Sequence, residues 1–180
     1  MFPLRVHLYL YIVLGQVYLQ WYELERAAQQ LARGIELGEL MTIERPILFD
    51  GYCALARLRS IEGHFEQALR LLDQAEQTMR LWQGEVESTS ALRTRIWLRQ
   101  ARVEKDTYHL DRAISWADEH PPQQSNAYSP RLQSVIRVRI IQRQKYGAPD
   151  LDPLFPILDH QIRLAESSGR MDWQRSEEHT

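Results

Sequence analysis

Residues Ile61–Gln77 read IEGHFEQALRLLDQAEQ. Gly63 breaks a helical pattern, and apolar residues then recur at Phe65, Ala68, Leu72 and Ala75, the spacing of one helix face. Upstream, Tyr52, Leu55 and Ala56 share a face of the preceding helix. The stretch therefore reads as helix, tight turn, helix. The same offsets recur earlier as Tyr11, Leu14, Gly15 and Tyr18, followed by Leu24, Ala27, Leu31 and Gly34. They recur later as Trp97 and Ala101, followed by Leu110, Ala113 and Ala117. Small residues at Gly15 or Ala56 and at Ala27, Ala68 and Ala113 let paired helices cross closely, and Tyr11, Tyr52 and Trp97 fill the space beside them. One such pair cannot bury its apolar face alone, so the pairs must stack.

Composition agrees with a helical protein. The 180 residues are 44% hydrophobic and 26% charged, with only eight Gly and eight Pro. The length allows one domain with a substantial core. A net charge of −2 provides no bulk attraction to nucleic acid or to an anionic membrane. Cys53 is the only cysteine, which excludes an internal disulfide and fits a reducing, cytoplasmic setting. Leu8–Gly15, LYLYIVLG, imitates a secretory signal, but it is too short to span a bilayer and no small-residue cleavage site follows. A buried helix is the better reading.

Breakers divide the chain into helical blocks. The first runs from Pro3 to about Gln20 and is apolar nearly all round, so it should be covered on more than one side. Trp21-Tyr22 is a turn, and the second block covers Glu23 to about Leu40. Pro46 opens the third, ending at Ile61, and the fourth spans Phe65 to about Trp82. The fifth is Ser88–Val103 and the sixth Leu110–Glu119. Pro121–Pro130 is the most loop-like stretch. Leu132–Tyr146 is the seventh block, about Leu154–Ser168 the eighth, and a ninth starts at Met171. No convincing alternating strand is present.

The offsets resemble the W-x2-L-G-x2-Y…A-x3-F…A pattern of the tetratricopeptide repeat (TPR). The match weakens in the third pair, where Gln100 and Glu104 replace the expected Leu and Tyr; in the second pair Arg59 replaces Tyr. Ala27 to Ala68 is 41 residues and Ala68 to Ala113 is 45, longer than the usual period of about 34. Long units with phrases such as ARGIELGEL and RLAESSGRMDW are similar to the sensor region of large ATP-dependent LuxR-type transcription activators of the MalT-like group, over about residues 8–173. The resemblance implies an all-α, TPR-like right-handed superhelix, an α-solenoid of about four helix-turn-helix pairs. It also implies a non-catalytic region that receives a small-molecule inducer or a protein or peptide partner. Nucleic acid and ATP would be handled by other modules, with no cofactor expected here. The alternative is a free-standing TPR adaptor that docks a peptide.

In such arrays ligands bind mainly along the concave face, lined by first helices. Carried over, the first unit offers Tyr9, Ile12, Val13 and Gln16, the second Asp50, Cys53, Arg57 and Ser60, and the third Arg95, Leu98, Arg99 and Arg102. The seventh block adds Arg137. Independently of the resemblance, Arg95, Arg99 and Arg102 are spaced i, i+4, i+7 and share one helix face. Residues 90–146 hold 11 Lys/Arg against 5 Asp/Glu, whereas residues 1–89 hold 8 against 12. A basic middle favours an acidic peptide, a carboxylate or a phosphate. Arginines pairing with acids on neighbouring units would equally explain it.

Catalytic chemistry finds little support. His64, His109, His120 and His160 show no H-E-x-x-H spacing, so no metal site is expected. Cys53 has no histidine near it in sequence. The acid pairs Glu23/Glu25 and Asp150/Asp152 lie at helix starts, where the macrodipole favours them. Trp21, Trp82, Trp97, Trp116 and Trp173 fit helix ends and pair interfaces.

The repeat domain is expected to cover residues 1–174 and to continue beyond both ends. Arg175–Thr180, RSEEHT, matches the translation of the sequencing-adapter read AGATCGGAAGAGCACACG and is expected to be non-native. The first helix lacks the polar outer face of a cap, so an exposed apolar face and self-association through terminal repeats are expected.

Overall fold

The structure is a computed structural model, which describes residues 2–40, 45–80, 87–122, 129–147 and 149–167. Trp82, Gly84, the middle of the Pro121–Pro130 loop, the ninth helix from Met171, Trp173 and the 175–180 tail lie outside the described residues. All regular structure among the described residues is helical. The chain forms two compact units, Met1–Leu110 and Asp111–Thr180.

The first unit contains α1 (Phe2–Gln20), α2 (Leu24–Leu40), α3 (Arg45–Ile61), α4 (Phe65–Arg80) and α5 (Glu87–Glu104). Packing is pairwise: α1 lies against α2 and α3 against α4, and α3 also contacts α1 and α2. The small residues that define the repeat do what their size requires. Ala27, Ala56 and Ala68 are fully buried. A Cβ on Gly15 would stand 2.6 Å from Leu31 Cγ, so α1 and α2 cross too closely for a larger residue there. Leu8, Ile12, Leu31, Leu58 and Leu72 complete a core that is continuous through Leu92 and Ile96 of α5.

Ile12 occupies a distinctive position in this core. A Cβ on Gly34 of α2 would lie 2.5 Å from its Cδ1, and one on Gly51 of α3 would lie 2.6 Å away. The isoleucine fills a gap that two glycines open in neighbouring helices. Polar ties supplement the packing, since Tyr52 Oη on α3 donates to Glu39 Oε1 on α2. α1 itself is buried on one side only. Leu8, Ile12, Gly15 and Leu19 face the core, while Val6, Tyr9, Leu10, Val13 and Leu14 are exposed. Cover on more than one side, expected for so apolar a helix, is therefore not seen among the described residues, whereas the exposed apolar face expected of a first helix without a polar cap is present.

The two hairpin turns share one geometry. Gly63 adopts φ 86°, and the His64 N–H donates to the Arg59 carbonyl at 2.9 Å, closing the end of α3. Forty-one residues earlier Tyr22 adopts φ 64°, and the Glu23 N–H donates to the Tyr18 carbonyl at 2.9 Å. A tyrosine in the left-handed region carries a strain of roughly 1–2 kcal/mol that glycine does not. The Tyr22 side chain is largely exposed, so little packing is at stake. Tyr22→Gly is expected to stabilise the protein by about 0.5–1 kcal/mol, the gain being reduced by the greater freedom of glycine in the unfolded chain. An unchanged or lower urea midpoint would show that the tyrosine ring contributes more than its exposure implies.

The second unit holds most of α6 (Tyr108–Glu119), then α7 (Pro130–Tyr146), a single 3-10 turn (Asp152–Leu154) and α8 (Phe155–Ser167). α7 starts two residues before the expected Leu132. Ser129 Oγ accepts from the Leu132 N–H at 3.2 Å and Pro130 occupies the first turn. Ser-Pro is a helix-start signal that the loop-like flank concealed. Gly147, with φ 70°, closes the other end by donating its N–H to the Arg143 carbonyl at 2.9 Å. Arg139 ties α7 to α6 through Asp118 at 2.8 Å, and the Trp116 indole stacks on the His120 ring with 4.6 Å between centroids.

Candidate binding face

α5 is held to α4 by Arg93, a residue outside the expected arginine row. Its Nη2 donates to Glu76 Oε1 at 2.7 Å and to Asp73 Oδ1 at 2.9 Å. Partial burial works against its charge, but the hydrogen bonds to Glu76 and Asp73 outweigh this and raise its pKa. This is the arginine-to-neighbour pairing that sequence allowed for the basic region, realised at a position the row did not include. The signal was available, because Asp73 and Glu76 are spaced i, i+3 on α4 and form one acidic edge. Arg93→Met is expected to cost about 1–3 kcal/mol, since the largely buried Glu76 loses its charged hydrogen bond from Arg93. A chemical denaturation midpoint within error of the parent would remove this bridge from the list of stabilising contacts.

The expected row on α5 behaves differently. Arg99 and Arg102 have no hydrogen-bond or ion-pair partner among the described residues, and neither does Arg57 on α3. Arg102 and Arg57 are exposed, while Arg95 and Arg99 are half-buried. α3 and α5 are in contact, so these arginines lie on adjacent first helices of the first unit. Asp50, seven residues before Arg57, stands at an exposed position. Even so, the protein around its carboxyl desolvates it and raises its pKa. Tyr9 is exposed and Gln16 half-buried on α1. Arg137 is exposed on α7 of the second unit and has no ion-pair partner among the described residues.

Three residues carried over to the concave face belong instead to the interior. Ile12 is fully buried, and Ser60 and Leu98 are nearly so. The family positions predict which helix lines a groove, but burial depends on how far each neighbouring pair overlaps it. Cys53, also carried over, is half-buried. Its thiol is pushed up to about 12, mainly by burial and then by the charges of Asp50 and Glu76, with Arg57 opposing. At neutral pH it is a thiol that packs against the core and not a nucleophile.

Two further features were not legible in sequence. An open cleft of about 400 Å³ is lined by Gly63, His64, Phe65, Glu66, Gln67, Arg70, Gln100 and Glu104. It brings the start of α4 beside the end of α5. In the turn after α5, Glu104, Asp106 and His109 converge, with His109 Nδ1 2.9 Å from Asp106 Oδ2 and 3.7 Å from Glu104 Oε2. Asp106 also accepts from the His109 N–H at 3.2 Å, and its pKa is lowered chiefly by its hydrogen bonds with His109. An acid capping the first turn of α6 accounts for this arrangement.

The family model described as the MalT-like TPR region matches residues 1–176. No curated protein and no solved structure matches the chain. Among the described residues no helix is long and apolar enough to cross a membrane.

Proposed function

The chain belongs to the MalT-like TPR region family, a non-catalytic binding domain, and from that premise we propose that it is the receiver region of a signal-responsive, ATP-dependent transcription regulator. In this reading an inducer or protein partner carrying an acidic group binds the first helices of the first unit. Arg57, Arg99 and Arg102, with Arg95 beside them, are the recognising residues. The supporting observation is that Arg57, Arg99 and Arg102, on two adjacent first helices, have no acidic partner among the described residues, while Arg93 nearby is neutralised twice over. Guanidinium groups without internal partners are the natural ligands for carboxylate or phosphate oxygens.

Binding would act by differential affinity. A partner that fits one arrangement of the helix pairs better than another shifts the population toward it, and an attached ATPase module would respond to that shift. Long-read sequencing of the source DNA across both ends of the reading frame tests the assignment. An in-frame upstream G-x4-G-K-[ST] motif and a downstream helix-turn-helix module support the regulator. Natural start and stop codons at the present ends overturn it and leave a free-standing TPR adaptor.

A further inference from the structure

The third repeat departs from the pattern at two places, and both belong to one cluster of side chains. Where the first and second units have Leu14 and Leu55, the third has Gln100; where they have Tyr18 and Arg59, it has Glu104. Leu55 is buried, and so is Gln100, which is only 8% exposed. A polar side chain at a position that the repeat fills with leucine costs stability, and such departures gather at functional sites. Gln100 Nε2 donates to Glu104 Oε1 at 3.0 Å, which orients that carboxylate. Gln100 Oε1 is buried without a partner among the described residues. Buried polar atoms left in this way are rare, and an ion or water beside them is one recognised reason.

Past Glu104 the chain turns at Lys105, with φ 57°, and brings Asp106 and His109 back beside it. His109 Nδ1 lies 2.9 Å from Asp106 Oδ2 and 3.7 Å from Glu104 Oε2, and the three ligand atoms all lie within 4.8 Å of one another. Capping of α6 uses only Asp106 Oδ1. It leaves Oδ2 over and does not involve Glu104. No lysine or arginine pairs with either carboxylate among the described residues. All four residues belong to the first unit.

A tetrahedral centre with bonds of about 2.0–2.1 Å sets its ligand atoms about 3.3–3.4 Å apart. The two distances from His109 Nδ1 bracket that spacing. One imidazole nitrogen with two carboxylate oxygens suits Zn²⁺ and its first-row neighbours, whereas Mg²⁺ and Ca²⁺ prefer oxygen alone. Two carboxylate charges balance one divalent ion. Glu104 also lines the open cleft at the start of α4, which gives water access to a fourth position.

We propose that Glu104, Asp106 and His109 bind one Zn²⁺-class transition-metal ion across the turn between α5 and α6, with Gln100 as the residue that positions Glu104. The site is independent of the arginine row.

Calorimetric titration of the full chain with Zn²⁺ is expected to show one equivalent bound, and Co²⁺ in its place should give the visible absorption of a four-coordinate centre. Glu104→Gln, His109→Gln and Asp106→Asn should each weaken Zn²⁺ binding roughly tenfold or more. Asparagine caps a helix as well as aspartate does, so Asp106→Asn should keep the metal-free thermal midpoint. Gln100→Leu restores the residue of the other repeats. It should raise the metal-free midpoint and yet weaken Zn²⁺ binding, a split that a purely structural glutamine would not produce. His64→Gln, whose ring lies 3.5 Å from Glu62 outside the cluster, should leave Zn²⁺ affinity within twofold. Absence of Zn²⁺ binding, or an affinity unchanged in Glu104→Gln and His109→Gln, overturns the site. Equal loss in His64→Gln, or displacement of Zn²⁺ by equimolar Mg²⁺ or Ca²⁺, overturns it too. Undiminished affinity in Gln100→Leu overturns the part given to Gln100.

Discussion

Replacing Ile12 by alanine is expected to destabilise the first unit by about 2–5 kcal/mol, toward the upper part of that range. The side chain is fully buried and fills the space that Gly34 and Gly51 leave open. The walls of that space are helix backbone, which cannot collapse into a void without moving a whole helix. A double-mutant cycle isolates the contact. Ile12→Val removes the Cδ1 atom and should cost about 0.5–1.5 kcal/mol. Gly34→Ala places a methyl 2.5 Å from that same Cδ1. The resulting overpacking of about 1–3 kcal/mol competes with a helix-propensity gain of about 1 kcal/mol. Combining the two changes removes the nearest contact and leaves Cγ1 at 2.9 Å, so the clash is relieved in part and the pair should be more stable than the sum of the single effects, by at least about 0.5 kcal/mol. Urea denaturation followed by circular dichroism gives all four values. Strict additivity would mean that Ile12 does not occupy the glycine gap.

The double substitution Arg99→Ala/Arg102→Ala is expected to weaken binding of a ten-residue poly-glutamate peptide roughly tenfold to a hundredfold, the effect of losing two charge-assisted contacts at about 1 kcal/mol or more each. The affinity of the parent protein should fall as salt is raised, because the contacts are solvent-accessible. Arg70→Ala serves as the control. Arg70 faces Glu66 at 3.6 Å on α4 and is not part of the row. Its loss should leave peptide affinity within twofold. Equal losses in both proteins would reduce the attraction to overall charge and remove the row as a recognition element. Arg99 and Arg102 have no partner among the described residues, so the double variant should keep the parent's thermal midpoint, which separates lost recognition from lost folding.

Both outcomes depend on different levels of the structure. The hairpins were legible in the sequence because they are local. Gly63 ends α3, Ala27 and Ala68 mark the close crossings, and the spacing of Phe65, Ala68, Leu72 and Ala75 commits α4 to one buried face. These relations span a few helical turns and depend on backbone geometry and side-chain size alone. The MalT-like TPR assignment rests on the match of the family model over residues 1–176. Helix starts were less legible where the capping residue looked like loop, as with Ser129 before α7.

The stacking of one hairpin on another was decided by tertiary structure. Ile12, Ser60 and Leu98 read as groove positions because the family's concave-face positions fall on them, yet the neighbouring helices cover them. Arg93 reads as one more arginine of a basic segment, but Asp73 and Glu76 reach it from α4. An exposed apolar face was expected on the first helix, but which of its apolar residues form it was not legible, and Leu10 is one of them. In each case the side chain's environment is set by neighbouring helices and not by its own, across contacts whose register shifts as the spacing changes from 41 to 45 residues. By itself the sequence determined which residues lie on each helix face, since that follows from a fixed period of 3.6 residues. Only the tertiary structure decided which faces are covered, because that depends on the sizes that meet between repeats, as Ile12 meets Gly34 and Gly51.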